Sequence, residues 1–395
     1  MTVAGIIAEY NPLHNGHAFL IREMRRFGAD CIVVVMSGNF VQRGEPAIIT
    51  KWARAKEVLL CGADLVLELP LPWAVAGAQR FSYGGVSILS ALGADWIGFG
   101  SECGNLEQLQ KAKQALLSPQ LHEQIKKSLQ SGATFAAARQ EAVASLFGNE
   151  TAALLRRPNN VLGIEYLDAI ERLNAGIMPY TVKRTPLLGS DRQGFTDVAS
   201  SSAIRQRISE GESFSPYMPE EASHIVQDEI SSGRAPANIS FAERAVLASL
   251  RQMTLGQFSC LPDISEGLEN RIFAAVQKAG SIAGLLQAVK TKRYPMARIR
   301  RIILSAFLGI QANDSAGTPP YLRILGIGKS GEKVLYRAKG RNLIPIVSRY
   351  ADIDQLDSRG QKVMKLEDRA TDLYALCMPQ AAPCGLDRTH KLIVL

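Results

Sequence analysis

The string Glu9-Tyr10-Asn11-Pro12-Leu13-His14-Asn15-Gly16-His17 puts two imidazoles three positions apart around a glycine. The chain has only five histidines, so two of them in one short string concentrate chemistry there. The string follows an apolar run, Val3–Ala8, and opens a stretch of helical spacing, His17 to Arg26. It therefore belongs at the carboxyl end of a strand and the start of a helix. Open α/β sheets bind ligands at that place, and the unpaired N–H groups and dipole of the helix favour an anion. Gly16 lets the backbone turn tightly and approach a ligand. As donors, His14 and His17 can hold phosphate oxygens while charge builds up during group transfer. A metal pair is the weaker reading, because no third Cys, His or acidic ligand stands at plausible spacing and Glu9 is ambiguous. No metal site is expected.

The elements around the string alternate. Cys31–Met36 is a β-branched strand, Lys51–Cys61 a helix stopped by Gly62, and Leu65–Leu69 a strand closed by Pro70. Ala76–Leu92 reads as a helix, Trp96–Gly100 as a strand, Val161–Leu173 as a helix and Tyr180–Arg184 as a short strand. Apolar strands alternating with helices predict an α/β fold, a Rossmann-like doubly wound parallel sheet covered on both faces. Residues 104–157 have no β run and read as a helical insertion. After about residue 240 the pattern is helical, at 241–252, 266–278, 281–290, 296–308 and 366–377, with a mixed segment at 320–350. The predicted division is a catalytic domain over 1–238 and a mainly helical C-terminal region over 239–395.

Charge follows that division. Residues 241–395 hold 23 basic and 13 acidic side chains, net +10, whereas the whole chain of 395 residues is net +8. A basic segment on a near-neutral body predicts a polyanionic partner, nucleic acid first and an anionic membrane second. Lys290, Lys292, Arg293, Arg298, Arg300 and Arg301 form a cluster interleaved with Tyr294 and Ile299, with no acid between 279 and 313. These six are the candidate RNA-backbone contacts. The six cysteines are scattered without zinc spacing, which fits a reducing cytoplasm. No signal peptide and no membrane-spanning run are expected. Gly326–Glu332 looks like a P-loop, but Arg323 stands where its first glycine belongs, so it reads as a surface turn. Arg43 and Lys51, around a polar loop after the second strand, are candidates to neutralise phosphate or carboxylate.

HNGH after the first strand resembles the signature of the HIGH nucleotidyltransferase superfamily, whose members split ATP between its α- and β-phosphates to form an adenylate. Ser200-Ser201-Ser202-Ala203-Ile204-Arg205 resembles that superfamily's second, serine-rich element, whose hydroxyls and helix start bind phosphate beside a fixed arginine charge. Longer strings narrow the resemblance: residues 9–17, Met36–Pro46, Lys51–Arg54, Gly62–Pro70, Phe99–Glu102, Pro158–Gly163 and, near the end, Ala370–Tyr374. Together they are similar to the bacterial tRNA(Met) cytidine acetate ligase family.

That resemblance implies an ATP site made of Ile7, Ala8, Glu9, Tyr10, Asn11, Pro12, Leu13, His14, Asn15, Gly16, His17, Ala18, Phe19 and Leu20 with Gly100, Asn159 and Arg184. His14, His17 and Arg205 are the implied catalytic groups, with Mg²⁺ bridging the phosphates. It also implies acetate as the acid activated and elongator tRNA(Met) as the acceptor, at N4 of its wobble cytidine. Residue chemistry alone leaves two other readings open: a nucleotidyltransferase acting on a small phosphorylated metabolite, and a non-catalytic RNA-binding protein.

Overall fold

The computed structural model describes residues 1–131, 135–184, 199–265, 267–341 and 344–395. Eight strands form one sheet: β1 (Val3–Ala8), β2 (Cys31–Ser37), β3 (Leu65–Leu69), β4 (Trp96–Ser101), β5 (Met178–Lys183), β6 (Leu322–Ile327), β7 (Ile346–Val347) and β8 (Ile393–Val394). Their order is β8-β6-β3-β2-β1-β4-β5, with β7 beside the start of β6. The run β3-β2-β1-β4-β5 is parallel throughout, the doubly wound arrangement expected. Every residue of β2 is buried, which is why its sequence is an unbroken β-branched run rather than an alternating one. One face packs Val33, Val35, Leu65 and Leu67 against Phe81, Val86 and Leu89 of the helix Ala78–Leu92. The other packs Ile6, Ile32, Val34 and Val66 against helix α1 (Asn15–Arg26) and the helix Lys51–Leu60.

The insertion is helical where it is described, as Leu106–Leu117, Pro119–Gln130, Phe135–Phe147 and Asn149–Leu154. Residues 132–134 of it lie outside the described residues. Beyond residue 240, the helices Glu243–Gln252, Leu268–Val276, Ile282–Val289 and Met296–Leu308 build a second core around Val246, Leu250, Ile272, Leu285 and Ile302, which Phe40, Leu71 and Val75 of the first half also enter.

The chain then returns to the first half, and the division expected at 238/239 is crossed by the sheet itself. β6 runs antiparallel along β3, pairing Ile327 with Leu65 and Arg323 with Glu68, and β8 lies parallel to the end of β6. A buried ionic cluster fastens the join. Lys51, with no exposed surface, lies 2.8 Å from Glu68 Oε1 and 2.6 Å from Asp387 Oδ1, and Arg323 Nη1 lies 2.7 Å from Asp387 Oδ2. The two cations hold the Asp387 carboxyl well below the usual carboxylate range against the opposing effect of burial. Lys51 is thereby removed from the set of candidate phosphate ligands: both of its partners are buried acids and its side chain reaches no solvent. The P-loop-like string is the turn after β6. Because β6 runs against β3, this turn sits at the opposite end of the sheet from His14.

Candidate active site

β1 and β2 pair along six positions, and so do β4 and β5. Between β1 and β4 only Ala4–Trp96 and Gly5–Ile97 are paired. The two strands therefore part toward their carboxyl ends at the point where strand order reverses, and a crevice opens there. Into it come the loop after β1, Gly100 at the end of β4 and Arg184 just past β5.

The loop is fixed by groups whose types and spacing give no local sign of that role. Tyr10 sits at φ 47°, in the left-handed region, at a local cost on the order of 1–3 kcal/mol. The unusual backbone of the turn thus belongs to Tyr10, while Gly16 is an ordinary second residue of α1. Arg54 is buried beneath the loop. Its Nη1 donates to the carbonyls of Glu9 (2.7 Å) and Ser37 (3.0 Å), and its Nη2 to that of Gly38. It ties the ends of β1 and β2 together. Asn11 Oδ1 accepts the Ile48 N–H at 2.8 Å. Ile7, Leu13 and Ala18, within the segment 7–20, are buried and pack the core.

His14 is the N-cap of α1, and His17 lies in its first turn rather than in the loop. The rings stack with centroids 3.7 Å apart and 19° between planes, and Tyr10 meets His17 edge-on at 4.8 Å. The His14 backbone N–H donates to His17 Nδ1 at 3.3 Å, so the His17 proton sits on Nε2. Burial, and then the nearby Arg184 charge, push His14 down to about 3. Burial, His14 and Arg184 hold His17 well below its ordinary value. Both rings are therefore neutral near pH 7, and each offers one N–H. The donor role expected from sequence is that of an imidazole, not an imidazolium. His14 Nδ1 and Glu9 Oε1 are buried without a hydrogen-bond partner, two polar atoms poised for a bound group. Burial raises the Glu9 carboxyl, with Arg43 opposing.

The serine-rich element arrives as the helix Ser201–Glu210, with Ser200 Oγ accepting the Ala203 N–H at 3.2 Å. Its first turn lies on the loop: Ser201 Oγ donates to Pro12 O at 3.5 Å, and Arg205 Nη1 to Asn11 O at 2.7 Å. Arg205 Nη2 also lies 3.0 Å from Glu45 Oε1. Arg43 donates to Ser202 Oγ at 2.9 Å and approaches Glu9 Oε2 to 3.8 Å.

On the far side of the crevice, a Cβ on Gly100 would stand 3.0 Å from Arg184 Cγ, so the bare glycine lets that side chain lie across the end of β4. Asn159 Nδ2 donates to Glu102 Oε1 at 2.8 Å, and Glu102 also takes the N–H of Asn160 at 2.8 Å. The start of the helix Pro158–Arg172 is thus already capped by a carboxylate.

The six basic residues divide. Arg298 donates to Asp263 O (2.9 and 2.7 Å) and Ser265 Oγ (2.7 Å), and Arg301 Nη2 lies 2.8 Å from Asp263 Oδ2. Both meet Asp263, upstream of the acid-free stretch 279–313, Arg298 at its backbone carbonyl and Arg301 at its carboxylate. Lys290, Lys292, Arg293 and Arg300 are exposed. Arg300 reaches back to within 3.8 Å of Glu45 Oε2, beside Arg205. Among the described residues no three His, Cys, Asp or Glu side chains converge on a metal position, and no helix is long and apolar enough to cross a membrane.

A doubly wound sheet with two histidines at the switch-point turn and a serine-capped helix packed on that turn defines a nucleotidyltransferase-type site. A model of the family described as HIGH Nucleotidyl Transferase matches residues 1–387. The chain is 37% identical over 415 residues to the tRNA(Met) cytidine acetate ligase of Acetivibrio thermocellus, with all of both chains covered. It is 37% identical over 387 residues to the one from Caldicellulosiruptor saccharolyticus, covering 95% and 94% of the two chains. The crystal structure of Thermotoga maritima TmcAL bound with alpha-thio ATP matches with a TM-score of 0.92 and 31% identity, all of both chains covered. The chain belongs to the HIGH nucleotidyltransferases and, within them, to the tRNA(Met) cytidine acetate ligase family.

Proposed function

We propose that the protein joins acetate to ATP as acetyl-adenylate and transfers the acetyl group to N4 of the wobble cytidine of elongator tRNA(Met). The observation that carries this reading is the pair of stacked, neutral histidines at the mouth of the β1/β4 crevice, in a chain matched over its full length by ligases of that name. An acetate oxygen attacks the α-phosphorus of ATP, the bond to the bridging oxygen breaks and pyrophosphate leaves. Negative charge grows on the α-phosphate and the leaving group. The Nε2–H of His17, a donor from His14, the dipole end at the start of α1 and the fixed charge of Arg205 stabilise it. Arg184, across the crevice, clamps the phosphates or the acyl-adenylate. Gly100 and Asn159 border the nucleoside.

Mg²⁺ accompanying the nucleotide would neutralise triphosphate charge. In the second half, the cytidine amine attacks the acetyl carbon, the bond to AMP breaks, and a proton leaves N4 to solvent or to the departing phosphate. A mixed anhydride is reactive enough that positioning supplies most of what the amine needs. Lys290, Lys292, Arg293 and Arg300 supply positive charge for the RNA backbone, and a tRNA substrate places the work in the cytoplasm.

The test is incubation with radiolabelled acetate, ATP and total tRNA, followed by nucleoside analysis. Label in N4-acetylcytidine from elongator tRNA(Met) is expected. Label in another nucleoside, or none in RNA while ATP is consumed, would overturn the assignment.

A further inference from the structure

The polar loop after β2 is a tight hairpin. Phe40–Val41 pairs antiparallel with Glu45–Pro46, and the Gly44 N–H donates to Val41 O at 2.9 Å. Phe40 and Val41 are wholly buried. Gly44 has φ +77°, and a Cβ there would lie 2.6 Å from Arg301 N, so the tip is pressed onto the helix Met296–Leu308. Arg43 stands on this tip and is held at two of its nitrogens. Its Nη1 donates to Ser202 Oγ at 2.9 Å, in the first turn of the helix Ser201–Glu210, and its Nε lies 3.8 Å from Glu9 Oε2. Even so, 56% of the side chain is exposed. A long, flexible cation is thus aimed at the place where the end of β1 meets the positive end of a helix dipole.

Arg43 is one of three guanidiniums in this region. Burial lowers the pKa of Arg184 and of Arg205, and the Arg43 charge lowers both further, against the pull of Glu102 on the first and Glu45 on the second. Those acids are engaged elsewhere. Glu102 is bonded to Asn159 and Asn160, and Glu45 lies between Arg205 and Arg300. Glu9 sits beyond hydrogen-bond distance of Arg43, and burial raises its carboxyl. Cations that push against one another beside a helix start are relieved by a polyanion lying among them. In acetyl-adenylate formation, the group that gathers the most negative charge is the departing pyrophosphate.

We propose that Arg43 binds the pyrophosphate moiety of ATP and stabilises it as it leaves, with Ser202 and Arg205 beside it. The proposal rests on the acetyl-adenylate reading above and adds to it a residue for the leaving group. An acetate oxygen bonds to the α-phosphorus, the bond from that phosphorus to the bridging oxygen breaks, and its electron pair goes to pyrophosphate. Arg43 gives up no proton in this step. It donates hydrogen bonds that strengthen as charge collects on the β-phosphate oxygens. A guanidinium presents two parallel N–H groups to such oxygens, which an ammonium cannot do. Of the two anions that its sequence context allows, phosphate and carboxylate, Arg43 takes the phosphate.

The experiment uses the full-length protein with Arg43→Ala and Arg43→Lys. Acetate-dependent ATP–pyrophosphate exchange is measured with pyrophosphate and acetate varied in turn, and equilibrium binding of AMP is measured beside it. Arg43→Ala should raise the KM for pyrophosphate about tenfold or more and lower the saturated exchange rate about 10²-fold. AMP affinity and the KM for acetate should move by no more than about twofold. Arg43→Lys keeps the charge and loses the paired donors, so its KM for pyrophosphate should fall between those of wild type and Arg43→Ala. Combining Arg43→Ala with Ser202→Ala should raise that KM by less than the product of the two single effects, because one hydrogen bond joins the pair. An unchanged KM for pyrophosphate in Arg43→Ala and Arg43→Lys would overturn the proposal. So would a larger rise in the KM for acetate, which would make Arg43 the partner of the carboxylate, or an equal loss of AMP affinity, which would make it a prop for the Glu9 loop. Wild type without acetate-dependent exchange would instead overturn the underlying function.

Discussion

Replacing His17 by asparagine separates what its two ring nitrogens do. Nδ1 accepts the His14 N–H at 3.3 Å and holds the first turn of α1. Nε2 carries the proton that the proposed mechanism directs at the phosphates. An asparagine carbonyl oxygen stands near the position of Nδ1 and keeps the backbone bond, but nothing replaces the Nε2 donor. Loss of one such donor costs about 10²–10³ in rate, or roughly 2.7–4 kcal/mol. Alanine is the blunter change. It also strands the buried His14 N–H, at about 1–3 kcal/mol, and deletes the ring contacts to His14 and Tyr10, at about 0.5–1.5 kcal/mol each. The expected result is that His17→Asn stays within about 1 kcal/mol of wild-type stability while acetate-dependent ATP–pyrophosphate exchange falls by about 10²–10³-fold. His17→Gln, whose amide nitrogen reaches near the Nε2 position, should recover at least about tenfold of that loss. Chemical denaturation followed by circular dichroism gives the stability, and isotope exchange gives the rate. Near-normal exchange in His17→Asn would remove the histidine from the transition state and leave it as a helix cap.

Asp387→Ala leaves Lys51 and Arg323 buried with one carboxylate fewer between them and should cost about 3–5 kcal/mol in denaturant unfolding; a loss below about 1 kcal/mol would mean that the cluster does not fasten β6 to the sheet. Replacing Lys290, Lys292 and Arg300 together by Ala should make the log–log salt dependence of tRNA binding shallower by roughly 0.7–0.9 for each phosphate that is no longer neutralised, whereas Arg301→Ala, which breaks an ion pair to Asp263, should lower the melting temperature and leave the slope alone. His14 and His17 have folded pKa values below the unfolded value of about 6.5, so the unfolded chain binds more protons below that pH. Each should cost up to about 1.4 kcal/mol of stability per pH unit as pH falls from about 6.5 toward the folded value. The double variant His14→Gln/His17→Gln should show a correspondingly flatter profile between about pH 6 and 5, and parallel profiles would refute the buried, neutral pair.

The parallel core and the position of the histidine pair were legible because their signals are local. A strand buried on both faces must be apolar without interruption, as Cys31–Met36 is, and a glycine-bearing polar string directly after such a strand has one place to be. What escaped the sequence depends on partners far along the chain. β6 hides in the segment 320–350 because Arg323 interrupts its apolar run, and that arginine is tolerable only beside Glu68 and Asp387. Lys51 looks like a phosphate ligand for the same reason: nothing near it in sequence announces its buried acids. Arg298 and Arg301 seemed unpaired because the run from 279 to 313 contains no acid, yet Asp263 folds onto both. The left-handed turn falls on Tyr10, a residue type that gives no hint of positive φ, while the glycine between the histidines is helical. Arg54 lies inside a string that carries the family resemblance, but its role as a clasp of three carbonyls becomes visible only once β1 and β2 are adjacent.

The ion cluster at the sheet join also bears on how the protein is made. β3 emerges from the ribosome early, and its partner β6, together with Asp387, emerges near the end of synthesis. At roughly 5–20 residues per second, the outer edge of β3 stays unpaired on the order of tens of seconds. An apolar edge left open that long is a template for pairing with another nascent chain. Glu68, in the middle of Leu65-Val-Leu-Glu-Leu69, sets a charge in that edge, and charges pointing inward from an edge strand discourage such pairing. The same carboxylate that later meets Arg323 thus guards the growing polypeptide until its own strand partner arrives.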